Sequence, residues 1–209
     1  IVISYDGIHW INKASGLFTS DYWFTEIVWN GKMFVATTTL FSKTIVYSYN
    51  GIDWFVCNGA STIFTQGASG IAYNGRKWVG CGGGTYKLGY SLDGINWSPS
   101  GTTVFDEGGG WSVEWNGTIW IAVGSGINNL AYSYDGLNWT GIGKGMIDTY
   151  TSGIAWNGTL WVAVGLGTLH TIAYSYDGKI WNGVGKELLS YPRRVKWNGK
   201  MFVVCGEGT

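Results

Sequence analysis

The carboxylates are the first place to look for chemistry. Four of the 13 acidic residues sit in a recurrent turn, and the others are Asp21, Glu26, Asp53, Asp106, Glu107, Glu114, Asp148, Glu187 and Glu207. Glycoside hydrolysis needs two carboxyl groups roughly 5 to 10 Å apart across a sugar, and Glu26 with Glu114 is a pair that could supply them, although nothing in their spacing compels it. Other catalytic constellations are weaker still. His9 and His170 have no Cys, Asp or second His at metal-ligand spacing, so no zinc site is expected. The Gly-rich stretches "GCGGGT" and "VGLGT" end apolar runs instead of opening helices, which argues against phosphate loops, and no G-x-S-x-G elbow occurs. Cys81 and Cys205 hold the same place in two copies of a repeat, where other copies carry Thr37, Val123 and Val164, and are expected to be buried small apolar side chains. The N-x-S/T matches at Asn96, Asn116, Asn138 and Asn157 fall within the repeat itself, where chance explains them as well as glycosylation does. The expectation is a chain with no catalytic residue, no metal and no cofactor.

What must position any functional residue is a repeat. An aromatic-Asn-Gly motif followed by an apolar run recurs with its Asn at 30, 74, 116, 157 and 198, steps of 44, 42, 41 and 41 residues. Alternating with it is Ser-x-Asp-Gly-x-x-Trp: "SYDGIHW" at 4, "SYNGIDW" at 48, "SLDGINW" at 91, "SYDGLNW" at 133 and "SYDGKIW" at 175. Asn-Gly and Asp-Gly between alternating apolar residues predict hairpins with tight type I′ turns. Each repeat is then two hairpins, four short strands A to D, and a period near 42 is the size of one propeller blade. The predicted fold is all-β, a single five-bladed β-propeller over 1–209 with four antiparallel strands per blade. The chain opens on a C–D hairpin and closes on an A–B hairpin, so the ring is expected to close by pairing them in one sheet, which removes exposed edges. The expected blades are residues 25–57, 70–97, 112–140, 153–183, and the composite of 193–209 with 1–12.

The Ser-x-Asp-Gly-x-x-Trp copies resemble the Asp-box, or BNR, motif of sialidase-like propellers, in a variant one residue shorter between Asp and Gly. The joint pattern of both motifs looks like repeat proteins encoded by bacteria, phages and giant viruses. In Asp-box families the carboxylate bonds turn backbone and the Trp packs between strands, so the resemblance implies that Ser4, Asp6, Trp10 and their counterparts are structural. Asn50 in the second copy fits, since an amide also caps a turn. Sialidases hold the substrate carboxylate with three arginines; this chain has Arg76 beside an A–B turn and the adjacent Arg193 and Arg194, and five-bladed sugar hydrolases are longer, so the resemblance does not extend to sialidase activity.

Strand order places the nearly invariant A–B and C–D turns on one face of the ring and the B–C and D–A connections on the other, where variation makes room for binding. Each D–A connection carries one apolar residue at a matching place, Phe18, Phe64, Phe105, Ile147 and Leu189, expected to plug the core. The residues that follow differ in chemistry. Asp21 and Tyr22, Gln66, Asp106 and Glu107, Asp148 and Tyr150, and Tyr191 with Arg193 are the candidate ligand residues. Shallow pockets with an aromatic wall and a few hydrogen-bonding groups suit sugar rings; solvated loops are the plain alternative. On the inner strands Glu26 with Arg194 and Glu114 with Lys196 are expected to form ion pairs across or around the channel, or to hold a ligand.

Composition bounds the partners. Lys and Arg (13) balance Asp and Glu (13), only Arg193, Arg194 and Lys196 cluster, and nucleic acid would lack its main source of affinity. No apolar run reaches the roughly 18 residues of a membrane helix, so no membrane insertion is expected. A 45% apolar, 17% aromatic chain can bury a core, and a closed ring is expected to be monomeric. A start at Ile1 without Met or signal peptide is expected of a processed or excised piece. The reading is a non-catalytic module binding a glycan or glycoprotein surface at several pockets, with a virion or cell surface as the setting implied by resemblance. A structural or protein-binding propeller, such as a capsid or fibre decoration, and a glycoside hydrolase are the alternatives.

Overall fold

The computed structural model describes residues 1–12, 23–100, 104–106 and 108–208. An N-terminal hairpin comprises β1 (Val2–Ile3) and β2 (Ile11–Asn12). The first four-stranded antiparallel blade is β3 (Phe24–Trp29), β4 (Phe34–Thr38), β5 (Ile45–Ser48) and β6 (Phe55–Val56). A single helical turn, α1 (Ala60–Ile63), leads to the second blade: β7 (Ala68–Tyr73), β8 (Trp78–Gly82), β9 (Leu88–Ser91) and β10 (Ser98–Pro99). The third is β11 (Gly109–Trp115), β12 (Trp120–Ser125), β13 (Leu130–Ser133) and β14 (Thr140–Gly143); the fourth is β15 (Tyr150–Trp156), β16 (Trp161–Leu166), β17 (Ile172–Ser175) and β18 (Asn182–Gly185). A last hairpin, β19 (Tyr191–Trp197) with β20 (Phe202–Glu207), completes the described chain. The inner strands β3, β7, β11, β15 and β19 lie side by side in that order.

The Asn-Gly turns are wider than the two-residue type I′ form expected. The pair Trp29↔Phe34 brackets four residues, and the Asn30 side-chain oxygen accepts the N–H groups of Lys32 and Met33 at 2.9 and 2.8 Å. Asn74, Asn116, Asn157 and Asn198 do the same. The amide thus supplies the turn's second acceptor, and only the Gly, with φ of 94° at Gly31, needs the left-handed region. An aromatic pair closes each hairpin, from Trp29–Phe34 at 4.4 Å to Trp115–Trp120 at 5.0 Å.

The Ser-x-Asp-Gly turns are internally hydrogen-bonded in every copy. In the second blade Ser91 Oγ donates to Asp93 Oδ1 at 2.9 Å, Asp93 Oδ1 accepts the N–H groups of Ile95 and Asn96, Gly94 N donates to Ser91 Oγ, and Trp97 Nε1 donates to the Gly94 carbonyl. The turn then docks on the preceding blade. A Cβ on Gly94 would lie 3.3 Å from Val35, and one on Gly136 or Gly178 would lie within 3 Å of Val79 or Ile121. With φ of +80° at Gly94 as well, that position is closed to larger residues. Trp97 enters the core cluster of the first blade with Val35 and Ile45, and Trp139 and Trp181 repeat this at the next two seams. Successive blades are therefore glued by the motif Trp of one and the B strand of the one before. The plugs Phe64, Phe105 and Ile147 are fully buried and Leu189 is half-buried, while Phe18 lies outside the described residues.

The two terminal hairpins form separate two-stranded sheets among the described residues. Among the described residues β20 is laddered to β19 alone and β1 to β2 alone. The N-terminal hairpin packs on the first blade, Ile1 lying against Ala36, Val46 and Trp54 as Ile45 lies against Trp97 one blade on. Trp10 is consequently 62% exposed where Trp54, Trp97, Trp139 and Trp181 are 5 to 6% exposed, and Ile27 is 56% exposed where Ile71, Val113, Ile154 and Val195 are buried. Cys205 is exposed, against the expectation, as no described strand other than β19 is laddered to β20; Cys81 is buried as expected, and Cys57 is buried too.

Candidate functional site

Every inner strand carries a β-bulge at the same place. The ladders skip one residue between Phe24 and Glu26, Ala68 and Gly70, Gly110 and Ser112, Thr151 and Gly153, and Pro192 and Arg194. The extra residues are Thr25, Ser69, Trp111, Ser152 and Arg193, each five positions before the motif Asn. A bulge releases its residue from the ladder and re-aims the side chain, here near the start of the A strand on the variable face. Thr25 and Ser152 turn their hydroxyls to the next blade, donating to the Ala68 carbonyl at 3.0 Å and the Pro192 carbonyl at 2.8 Å. Trp111 and Arg193 have no such reach and stand exposed at the mouth of the ring.

These bulges build a cavity of about 560 Å³ between the third, fourth and last blades, lined by Trp111, Tyr150, Ser152, Arg193 and Arg194. The Trp111 and Tyr150 rings lie 6.2 Å apart at 32°. Ser125 positions both: its Oγ accepts from Trp111 Nε1 at 3.4 Å, and its backbone bridges Tyr150, joining the third blade to the fourth. Arg194 is half-buried, its Nη1 donating to the Ser152 carbonyl at 2.8 Å and the Arg193 carbonyl at 3.1 Å. Arg193 reaches Glu207 Oε1 at 3.1 Å on the rim.

Of the residues singled out by sequence, the structure brings Tyr150 and Arg193 together in this cavity. Tyr191 lines a neighbouring one of about 450 Å³ with Lys186, Glu187 and Ser190. Gln66 is exposed and lines neither. Asp106 and Asp148 serve as clamps between the D–A and B–C connections of one blade. Asp106 Oδ1 accepts the Ile127 N–H at 3.1 Å, Asp148 Oδ1 the Thr168 N–H at 2.7 Å, and Thr65 Oγ1 fills the same role for the Thr85 N–H at 3.2 Å. Thr168 Oγ1 also donates to Asp148 Oδ2 at 2.6 Å, and these bonds hold the Asp148 carboxyl below its ordinary range. Asp21, Tyr22 and Glu107 lie outside the described residues. Trp111 and Ser152 were not singled out by sequence; the signal was the unlike set at the fifth position before each Asn.

The channel charges pair differently from expectation. Glu26 Oε1 meets Lys196 Nζ at 3.2 Å, joining the first blade to the last hairpin across 170 residues, while Arg194 turns up to the cavity. Burial raises the Glu114 carboxyl, the nearby Lys196 opposing and Glu26 adding to the shift. Two clefts of about 300 Å³, lined by Ile1, Ile27, Trp54 and neighbours, lie between the N-terminal hairpin and the first blade. Their walls are residues that other blades bury against a neighbour, so they belong to the open seam.

No protein-family model matches the chain, and no curated protein matches it. Solved structures do. A chain of the nidogen/laminin complex superposes with a TM-score of 0.64 at 15% identity, over 87% of this chain and 71% of that one. The GH74 xyloglucanase of Xanthomonas campestris gives 0.61 at 14% identity over 86% of this chain, and the GH74 enzyme of Niastella koreensis 0.60 at 19% over 87%. The computationally designed Ika8 protein gives 0.61 at 9% identity. This chain spans 54% of the designed protein and 27% of each GH74 enzyme. At such identities the likeness shows the fold, a β-propeller, and the fold alone.

Proposed function

We propose that this propeller is a non-catalytic carbohydrate-binding module that works through the face bearing the D–A and B–C connections. The observation that carries the reading is the Trp111–Tyr150 wall over the half-buried Arg194. A sugar lays its C–H face on an aromatic ring and turns its hydroxyls to nearby polar groups, and a cavity of this size is in the range of small-ligand sites. Among the described residues lining the cavity none is a carboxylate, and Glu26 is held by Lys196, which favours binding over hydrolysis. The Tyr191 cavity is a second, chemically different candidate, so several unlike pockets per ring would give avidity on a glycan-bearing surface.

The same reading takes the ring as five-bladed and the Ser-x-Asp-Gly turn as an Asp-box variant. Closure in the register of the first blade, where Phe34↔Ser48, Val35↔Tyr47, Ala36↔Val46 and Thr37↔Ile45, would set Phe202 opposite Ser4, Val203 opposite Ile3, Val204 opposite Val2 and Cys205 opposite Ile1. That ladder covers the exposed face of β20 and seats Trp10 as the other motif Trp residues are seated. The Glu26–Lys196 pair already spans the seam.

A glycan array probed with the purified chain, followed by calorimetry on each hit, tests the function. Binding with one or more sites per ring and no release of reducing ends from the bound glycan is the expected result. A folded protein that binds nothing on a broad array rejects the reading in favour of a protein-binding or structural propeller, and release of reducing ends rejects it in favour of a hydrolase.

A further inference from the structure

We propose that the bulge-built cavity takes an acidic saccharide, its sugar ring stacked on Trp111 and its anionic group held by Arg194; this rests on the carbohydrate reading above and narrows it. The strongest donors on the walls are cationic. The two arginines contribute guanidinium N–H groups, while the Trp111 indole N–H is given to Ser125 Oγ and the Ser152 proton to the Val164 and Pro192 carbonyls. The Tyr150 hydroxyl can both donate and accept, and the Ser152 oxygen, its proton spent, can accept. A neutral sugar presents hydroxyls that donate as well as accept, and is matched by carboxylates or amides beside its hydroxyls. None of the five lining residues is Asp, Glu, Asn or Gln. A wall with two guanidinium groups and no carboxylate among its lining residues is matched by an anionic ligand rich in acceptors.

Arg194 is the residue equipped to meet an anion. Both of its hydrogen bonds to protein use Nη1, and both acceptors are neutral backbone carbonyls. Among the described residues no protein acceptor is hydrogen-bonded to its Nη2 or Nε, and no carboxylate is paired with it. A guanidinium fixed by one nitrogen and open along its other edge presents two parallel N–H groups, the geometry that receives a carboxylate bidentately. Half-burial removes part of the water that would compete for it. Arg193 differs, since Glu207 balances its charge on the rim. Three blades contribute through one structural device, the bulge at Trp111, Ser152 and Arg193, so this cavity is specific to one sector of the ring. In the first two blades Thr25 and Ser69 hold the bulge, and neither has a ring or a charge.

Calorimetry on the full chain with three probes of one length decides it: a galacturonic acid oligomer, the neutral galactose oligomer, and a sulfated galactose oligomer. The galacturonate is expected to bind, with affinity falling as salt rises from 50 to 500 mM, while the neutral oligomer binds at least tenfold more weakly. Arg194→Gln is expected to abolish the preference, and Trp111→Ala to weaken both acidic and neutral ligands at least tenfold. Trp111 is exposed, so the second variant keeps the test alive if the first does not fold. Preference for the sulfated oligomer with the same Arg194 dependence also supports the proposal and identifies a sulfate ester as the anion. Equal or better binding of neutral glycans, unmoved by Arg194→Gln, overturns it and leaves the carbohydrate reading standing. No binding to the probes or to any array glycan overturns both.

Discussion

A single carboxylate oxygen organises each Ser-x-Asp-Gly turn, and its protonation state is written into the stability of the ring. Burial acts to raise the Asp93 carboxyl, but the N–H groups of Asn96 and Ile95, the Asn96 amide and the Ser91 hydroxyl outweigh it and hold the group at about 2. A carboxyl depressed on folding stabilises the native state above its unfolded value, near 3.8, and that contribution is lost as pH falls through the folded value near 2. Asp135 and Asp177 are depressed by the same kind of bonds and titrate in the same direction. Urea midpoints measured at pH 6, 4 and 2.5 are therefore expected to fall across the last interval. Asp93→Asn is expected to cost on the order of 1 kcal/mol at pH 6 and to lessen that fall. Asn50 shows why the cost is small: its Oδ1 keeps the bonds from Ile52 and Asp53 that Asp93 makes to Ile95 and Asn96.

At the scale of elements, the variable face is less free than its sequence diversity implies. Thr65, Asp106 and Asp148 each tie a D–A connection to the B–C loop of the same blade, so acidic side chains that look available to a ligand are holding loops together. Both Asp148 oxygens are occupied by Thr168. Asp148→Ala is expected to speed hydrogen exchange at the Thr168 amide at least tenfold, with the exchange of β15 and β16 unchanged, since the clamp lies outside their ladder. An unchanged Thr168 amide would mean that the loop is held by something else. The bulges work in the opposite sense. By releasing Trp111 and Arg193 from the ladder they give the face the side chains that the clamps remove from it.

The whole molecule turns on its seam. Its three thiols report whether the terminal hairpins share a sheet, because burial pushes Cys57 up to about 12 and raises Cys81 further, leaving both as unreactive thiols, while Cys205 lies on β20. A closed ring sets Cys205 opposite Ile1 and buries it as Thr37 is buried opposite Ile45. Titration of the native chain with a thiol reagent is expected to find none reactive; one reactive thiol would show the seam open in solution. Trp10→Ala gives an independent measure. On closure it is expected to cost about 3 to 5 kcal/mol, the cost expected of Trp97→Ala, because both remove a Trp from between two blades; a cost under about 1 kcal/mol would mean that Trp10 stays in water.

What the chain alone determined is what its residues settle among near neighbours. Asn30 bonds residues two and three ahead, Asp93 does likewise, and Trp97 bonds the carbonyl three behind it. Such contacts repeat wherever the letters repeat, and so the hairpins, the blade period and the buried plugs were legible in the sequence, while the width of the Asn-Gly turns was not, because an amide replaced backbone in the turn. The terminal hairpins were placed by symmetry, and Ile1 meets Trp54 as Ile45 meets Trp97 one blade on, while no ladder joins β1 to β20 among the described residues. The candidate site was legible only in Tyr150 and Arg193. Trp111 and Ser152 meet them because a bulge is set by the register between two strands, and because three blades bring Trp111, Ser152 and Arg193, each 41 positions from the next, to one cavity. Arg194 was read as a partner for Glu26, yet Lys196 took that carboxylate and left the guanidinium to the cavity. Local hydrogen bonding is fixed by sequence spacing; convergence across blades depends on distances that only the folded ring defines.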